Sequence, residues 1–392
     1  PDYPKYGNWD DAYYVTTNEF NGFNPVYALD KQAMIDGESV VTFIEFDAVS
    51  KFDDSGTFFE VSTPVDFSGT IAPGINTNFM AVRIMDDEMA NVSNDGIQYF
   101  EFIPDFEDPD NSESIGPFDL ISEPFESNLC EFGIFDCLTQ SDGSKVSALQ
   151  QVIMNKVQYR NFTDYESIYL NFSVDVTGND IAGVRWMELR RTQDSDWSIF
   201  QEGTMSLNDG NNRFMGTITQ DSEGNALLAY ALMGPEMDLS IAYTGRRLTD
   251  PPGIMSFGEE VLVEGQQPNP LQRWGDYFSF TIDPSDDKTF WLNAEYMPAD
   301  QDWATRITAL KASRDTIDAQ MSALIEPVSN SGLTATQNVS IRIANAGLDS
   351  IENIPYSLFF EGVFLESGII NDKLGTGDFK NITLNNTVDM SA

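Results

Sequence analysis

The sequence predicts an all-β protein: a β-propeller over residues 1–313, a connector over 314–325 and an immunoglobulin-like β-sandwich over 326–392. Three observations carry this. In RWGDYFSFTIDPSDDKTFWLNAEY (273–296), Phe278, Phe280 and Ile282 alternate with Ser279, Thr281 and Asp283, a Pro-Ser-Asp-Asp turn follows, and Thr289, Phe290, Trp291 and Leu292 run back. Period-two alternation broken by a polar turn is the sequence form of a β-hairpin. The same phrase then returns through the chain with other side chains, as propeller blades do. After residue 313 the text changes to short alternating strands separated by Gly, Asn and Pro, the profile of a small sandwich.

In chain order, the first unit is WDDAYYVTT (9–17) with VYALD (26–30), and the second is FMAVRI (79–84) with IQYFEFI (97–103). The third is SIYLNFSVDV (167–176), a TGND turn and AGVRWMELR (182–190); the fourth is the strand–DSEGN–strand stretch 213–231, and the fifth is the hairpin above. Propellers commonly close with more than five blades, because closure removes exposed sheet edges. Either blades are merged in this count or part of the propeller precedes Pro1.

Helical signal is confined to 145–160, where Val146, Leu149, Val152, Ile153 and Val157 fall at helical intervals, although VIMNKVQYR also reads as extended. SRDTIDAQMSALIEP (313–327) reads as connector. NVSIRIANAG, IPYSLFFEG, VFLESGII and FKNITLN (338–385) supply four or five strands, fewer than a sandwich needs, so further strands are expected from following sequence. Pro1 begins inside what reads as a domain, so the chain is expected to be part of a longer product.

The chain carries 63 acidic and 21 basic residues, a net charge of −42. That surplus argues against nucleic acid and anionic membranes as partners, since both need a basic face. It suits solubility in salty water and attraction of divalent cations. Histidine is absent, which excludes Ser-His-Asp and Cys-His catalysis, histidine zinc sites and histidine pH switches. Cys130 and Cys137 in SNLCEFGIFDC are expected to form a disulfide in an exported protein. By loop entropy the staple is worth about 2–3 kcal/mol. A thiol metal or redox pair, the alternative, usually takes tighter C-x-x-C spacing. No apolar run approaches the ~18 residues of a membrane span.

From near the first residue to Ser313 the chain resembles a family of secreted bacterial propeller proteins, common in marine and gliding Bacteroidota. The likeness rests on PDYPKYGNWDDAYYVTTNEF, SNLCEFGIFDC with SKVSALQ, YRNFTDYES, AGVRWMELR, RFMGTITQDSEGNALLAY, SIAYTGR, the 273–296 hairpin and WATRITALK. The tail resembles adhesion-type immunoglobulin-like (CARDB-like) modules through NVSIRIANAG and the Pro355 strand. The resemblance implies export and a cell-surface or extracellular location. Relatives commonly carry histidine where this chain has Phe172 and Asn212, so any activity resting on those histidines is not implied here.

Carboxylate clusters are the main chemical constellations. Asp86, Asp87 and Glu88 follow a strand; Asp283, Asp286 and Asp287 sit in a hairpin turn. Asp221, Glu223 and Asn225 form another turn, and Asp105, Glu107, Asp108 and Asp110 a loop. Calcium wants six to eight oxygens, so acidic turns suit it, although none has EF-hand spacing and turn-forming Asp is the plainer reading. The first two clusters are the metal candidates, Asp86, Asp87 and Glu88 foremost. Arg83, Arg185, Arg213 and Arg273 lie inside strand phrases; clustered at a central channel they would bind a carboxylate, as in an acidic sugar. Pairing with neighbouring Asp is the plainer alternative. Trp9, Trp186, Trp274 and Trp291 read as packing between blades rather than as sugar platforms.

The function expected is a non-enzymatic secreted surface protein for adhesion, extracellular structure or glycan contact, with polysaccharide or other surface proteins as partners. The alternatives are a carbohydrate-active hydrolase or lyase acting through paired carboxylates, and a subunit of a larger surface assembly.

Overall fold

A computed structural model describes residues 2–19, 25–47, 61–74, 77–88, 92–130, 136–192, 195–300, 302–312, 317, 319–327, 333–345, 347, 349–360 and 362–391. The chain divides into two compact units, Pro1–Ala312 and Ser313–Ala392.

The first unit is built of antiparallel meanders. Strands β1 (Asp2–Asn8), β2 (Ala12–Asn18), β3 (Pro25–Asp30) and β4 (Phe43–Asp47) pair in sequence order, with a short helix α1 (Lys31–Asp36) after β3. A second sheet runs β5 (Thr63–Phe67), β6 (Phe79–Met85), β7 (Gly96–Ile103) and β8 (Glu113–Ile121). The hairpin β9 (Asp136–Thr139) and β10 (Lys145–Ser147) intervenes. The second sheet continues across β5 into a second meander, β11 (Val157–Asn161), β12 (Glu166–Asp175), β13 (Ala182–Arg191) and β14 (Ser198–Met205), eight strands in all. Next come β15 (Asn212–Gln220), β16 (Ala226–Gly234), β17 (Met237–Arg246) and β18 (Glu260–Val263), then β19 (Ser279–Ile282), β20 (Thr289–Tyr296) and β21 (Ala304–Lys311). The second and third of the five expected strand phrases therefore share the eight-stranded sheet, and the other three fall one to a sheet.

The first strands of these meanders follow one another. β1 lies beside β5, β5 pairs in parallel with β11, β11 lies beside β15, and β15 beside β19. Tyr3 of β1 in turn stands against Tyr277, just before β19, with ring centroids 5.5 Å apart. β12, β13, β15 and β16 are buried along almost their whole length; β16 (ALLAYALMG) accordingly reads as a continuous apolar run, whereas β12 keeps its alternation and buries polar residues such as Asn171 and Ser173 on its second face.

The helix expected within 145–160 is not formed. Ala148–Met154 lies between β10 and β11 as irregular chain, buried at every position. Leu149 (φ 43°) and Gln151 (φ 66°) adopt left-handed conformations that interrupt a right-handed helix. The helical spacing misled because every side chain here is enclosed, not one face. The helix that does form was unmarked by periodicity, but its caps are regular: the Asp30 carboxylate accepts from the Ala33 N–H at 3.0 Å, and Gly37 at φ 69° ends it.

The second unit holds a sheet of β22 (Ala319–Glu326), β23 (Ser340–Asn345) and β26 (Phe379–Thr383), and a ladder of β24 (Ile354–Phe360) and β25 (Val363–Ile370). The connector expected at 314–325 therefore contains a strand. Ala323 and Ile325 are partly buried positions on one face of its alternation. Ile341, Ile343, Ile354 and Ile370 centre a small core of its own.

Candidate functional site

The fifth sheet carries a concavity at one end. The chain entering β19 brings Arg273, Trp274, Asp276 and Tyr277 to one end of the sheet, where β20 delivers Glu295 and the approach to β21 delivers Trp303. These residues line a cleft of about 290 Å3. Trp274 is buried as its floor, whereas Tyr277 and Trp303 stand 50% and 56% exposed. Gly275 (φ 67°) makes the tight turn, and a Cβ there would press on Met215 at 3.1 Å.

Two carboxyl groups face this cleft from partly buried positions. Burial raises Asp276 above the ordinary aspartate value, with Arg273 opposing the shift. Burial also raises Glu295; the Gly275 backbone opposes this and the Asp276 charge adds to it. The Arg273 guanidinium donates to Asp276 Oδ2 through Nη2 and is otherwise open at the rim. Behind the cleft, Tyr3 donates to the Asp276 carbonyl at 3.5 Å. Lys5 lies buried with its Nζ on Thr63 Oγ1 (3.0 Å) and the Ile153 carbonyl. Desolvation lowers the Lys5 amine to about 7.

The other sequence candidates disperse. Arg83 donates to Gln98 Oε1 inside the second sheet, at 3.0 Å from Nε. Arg185 meets Glu202 at 2.6 Å and the Glu123 carbonyl at 3.2 Å. Arg213, fully buried, is held by Glu259 and Asp209 at 2.6 and 2.8 Å. The four arginines thus form no single cluster, and Arg273 is the one that reaches the cleft. Trp9 and Trp186 are core residues, while Trp291 is 41% exposed with its indole N–H on Asp283.

The β19–β20 turn spends its carboxylates on itself. Asp283 accepts from the Ser285 N–H and hydroxyl, and Asp286 from the Lys288 and Thr289 N–H groups and the Thr289 hydroxyl. Asp287 takes a bidentate pair from Arg160 at 2.9 and 2.7 Å. Asp221 likewise accepts from the Glu223 and Asn225 N–H groups, and Asp105 from those of Glu107 and Asp108.

Asp86 and Asp87 do converge, but with Asp95 in place of Glu88, their carboxylate oxygens lying within 4.8 Å of one another. Asp86 and Asp95 are buried and Asp87 is exposed. Asp86 Oδ2 accepts from the Ser127 N–H (3.0 Å) and hydroxyl (2.5 Å), and Asp95 from the Asp87 and Phe125 N–H groups. The charge of Asp95 raises Asp87, and burial pushes nearby Glu126 up to about 7. An all-oxygen donor set of this kind could hold a hard divalent cation. Cys130 and Cys137 are disulfide-bonded, with Cα atoms 5.1 Å apart.

No protein-family model matches the chain, and no curated protein matches it. Solved structures match distantly. A Penicillium chrysogenum α-L-arabinanase complexed with arabinobiose is 12% identical, with 88% of each chain covered and a TM-score of 0.37. A mutant α-L-arabinofuranosidase from Fusarium graminearum, in complex with an iminosugar inhibitor, is 11% identical over 88% of each chain, at 0.38. A glycoside hydrolase is 10% identical over 79% of this chain and 87% of its own, also at 0.38.

Proposed function

We propose that the chain is an exported glycan-contacting protein whose first unit is a five-bladed β-propeller and whose cleft at Trp274–Trp303 receives the sugar. The half-exposed rings of Trp303 and Tyr277 beside two carboxyl groups carry this reading. Aromatic faces cover the C–H faces of a pyranose, and carboxyl oxygens accept from its hydroxyls. Adjacent first strands and consecutive meanders support the propeller. The disulfide supports an oxidising compartment. The two small sheets of the second unit support an immunoglobulin-like sandwich serving adhesion or surface assembly. Calcium is the cation proposed for Asp86, Asp87 and Asp95; melting curves that coincide in calcium and in chelator, with no metal by elemental analysis, would count against it.

A second reading, glycoside hydrolysis, is favoured by one observation: Asp276 and Glu295, both partly buried and raised, line one cleft, and such hydrolysis uses a pair of carboxyl groups. Incubating the purified protein with a panel of marine polysaccharides separates the two. Retention on immobilised polysaccharide without new reducing ends supports binding. Release of sugars that Asp276→Asn and Glu295→Gln both abolish makes it a hydrolase. Neither retention nor release removes the glycan reading.

A further inference from the structure

A second cavity, of about 360 Å3, opens at the other end of β19. Asn8 closes β1, Asp66 and Phe67 close β5, Gln158 stands in β11, and Thr281 and Ile282 end β19. The first strands of four meanders, β1, β5, β11 and β19, therefore contribute to its wall. Such a convergence makes a rigid site, because each wall is held by its own ladder.

The polar groups of the wall are held in place by protein partners. Gln158 is 1% exposed, and its Oε1 accepts the Gln220 N–H at 2.8 Å, which fixes its amide at the wall. Lys156 pairs with Asp66, whose other oxygen accepts the Asn8 N–H at 3.0 Å. Their side chains are 21% and 11% exposed, so both still reach the cavity. The pair is neutral as a unit and offers donor and acceptor side by side. Phe67, Ile282 and Pro284 supply an apolar wall.

We propose that this axial cavity is a second binding site, for a neutral polyhydroxylated ligand about the size of a monosaccharide. Its volume lies near the lower end of ligand pockets, roughly 300–1,000 Å3. Gln158 and Lys156 donate to hydroxyl oxygens, Asp66 accepts from hydroxyls, and Phe67 with Ile282 covers a C–H face. An anionic sugar would meet the −42 field of the chain, and a cationic one would compete with Lys156 for Asp66. The site does not depend on the cleft at Trp303.

Saturation-transfer NMR on the whole chain tests this, with glucose, galactose and xylose as neutral probes and glucuronate and glucosamine as charged ones. Thr281 is exposed at the cavity wall, so Thr281→Trp fills the cavity without disturbing the buried amide, and Thr281→Tyr is the second variant should the first fail to fold. Transfer to a neutral monosaccharide is expected in the wild type and in Trp303→Ala, and to fall about fivefold or more when the Thr281 substitution is added in the Trp303→Ala background, where the cleft no longer contributes. No transfer to any neutral probe, stronger transfer to a charged one, or transfer that survives filling the cavity in that background would overturn the proposal. Transfer lost in Trp303→Ala alone would place the sugar in the cleft and also overturn it.

Discussion

The two ends of the fifth sheet carry the same residue types and treat them in opposite ways. At the turn end, Asp283 and Asp286 accept hydrogen bonds from their own turn and are held below the ordinary range, Asp286 at about 2, chiefly through the Thr289 hydroxyl. At the cleft end, Asp276 and Glu295 are partly desolvated and held above it. The cations differ as well. Arg160 locks Asp287 bidentately, whereas Lys5 behind the cleft is buried without a bonded carboxylate. Density of acidic residues therefore says little about reactivity: a carboxylate ringed by donors is a structural part, and one against rings and low-dielectric protein is available for chemistry.

The largest effect expected from breaking this contrast lies at Lys5. Its folded value of about 7 is below the 10.5 of a free lysine. The unfolded chain therefore binds the extra proton between those values, and stability rises with pH across that window and is lost as pH falls toward 7. The shift corresponds to a span on the order of 5 kcal/mol. Lys5→Met is expected to flatten the rise in urea midpoint between pH 7 and 10; an unchanged slope would contradict the buried amine. At the other end, Arg160→Met strands Asp287 and is expected to cost about 3 kcal/mol in urea unfolding. A loss within experimental error would show that pair to be ornamental.

Smaller shifts sharpen the carboxylate contrast. Asp286, depressed in the folded state, contributes stability above its ordinary value of 3.8 that disappears as pH falls through about 2. Asp286→Asn should therefore melt below the wild type at pH 5 and approach it near pH 2. Asp276 is raised, so its contribution is most favourable in acid and is lost as pH rises through the folded value. Asp276→Asn should gain on the wild type as pH climbs above 4. Parallel pH profiles of melting temperature for the two variants would erase the distinction between the ends.

Much of this was legible in the sequence. The hairpin at 273–296 pairs as its alternation predicts, Phe280 opposite Leu292 and Ile282 opposite Phe290. The disulfide followed from its spacing and an assumed compartment. The cleft was half legible: Arg273 and Trp274 were singled out, yet Tyr277, Glu295 and Trp303 were missed because their spacing in sequence has no motif and only the sheet brings them together. Asp95 was missed for the same reason, lying across the β6–β7 turn from Asp86. The arginines misled because scarcity of basic residues marks structural ion pairs as readily as ligand contacts, and Arg213 between Glu259 and Asp209 is such a pair.

Affinity electrophoresis across a panel of neutral and acidic polysaccharides, comparing Trp303→Ala with Trp291→Ala, tests the glycan-binding cleft most directly. Both indoles are exposed at opposite ends of one sheet, so loss of a surface ring is common to the two variants. Retardation by at least one polysaccharide should appear in the wild type, persist in Trp291→Ala and disappear in Trp303→Ala. Equal retardation of all three proteins, or its loss in Trp291→Ala alone, would contradict a sugar site at the cleft.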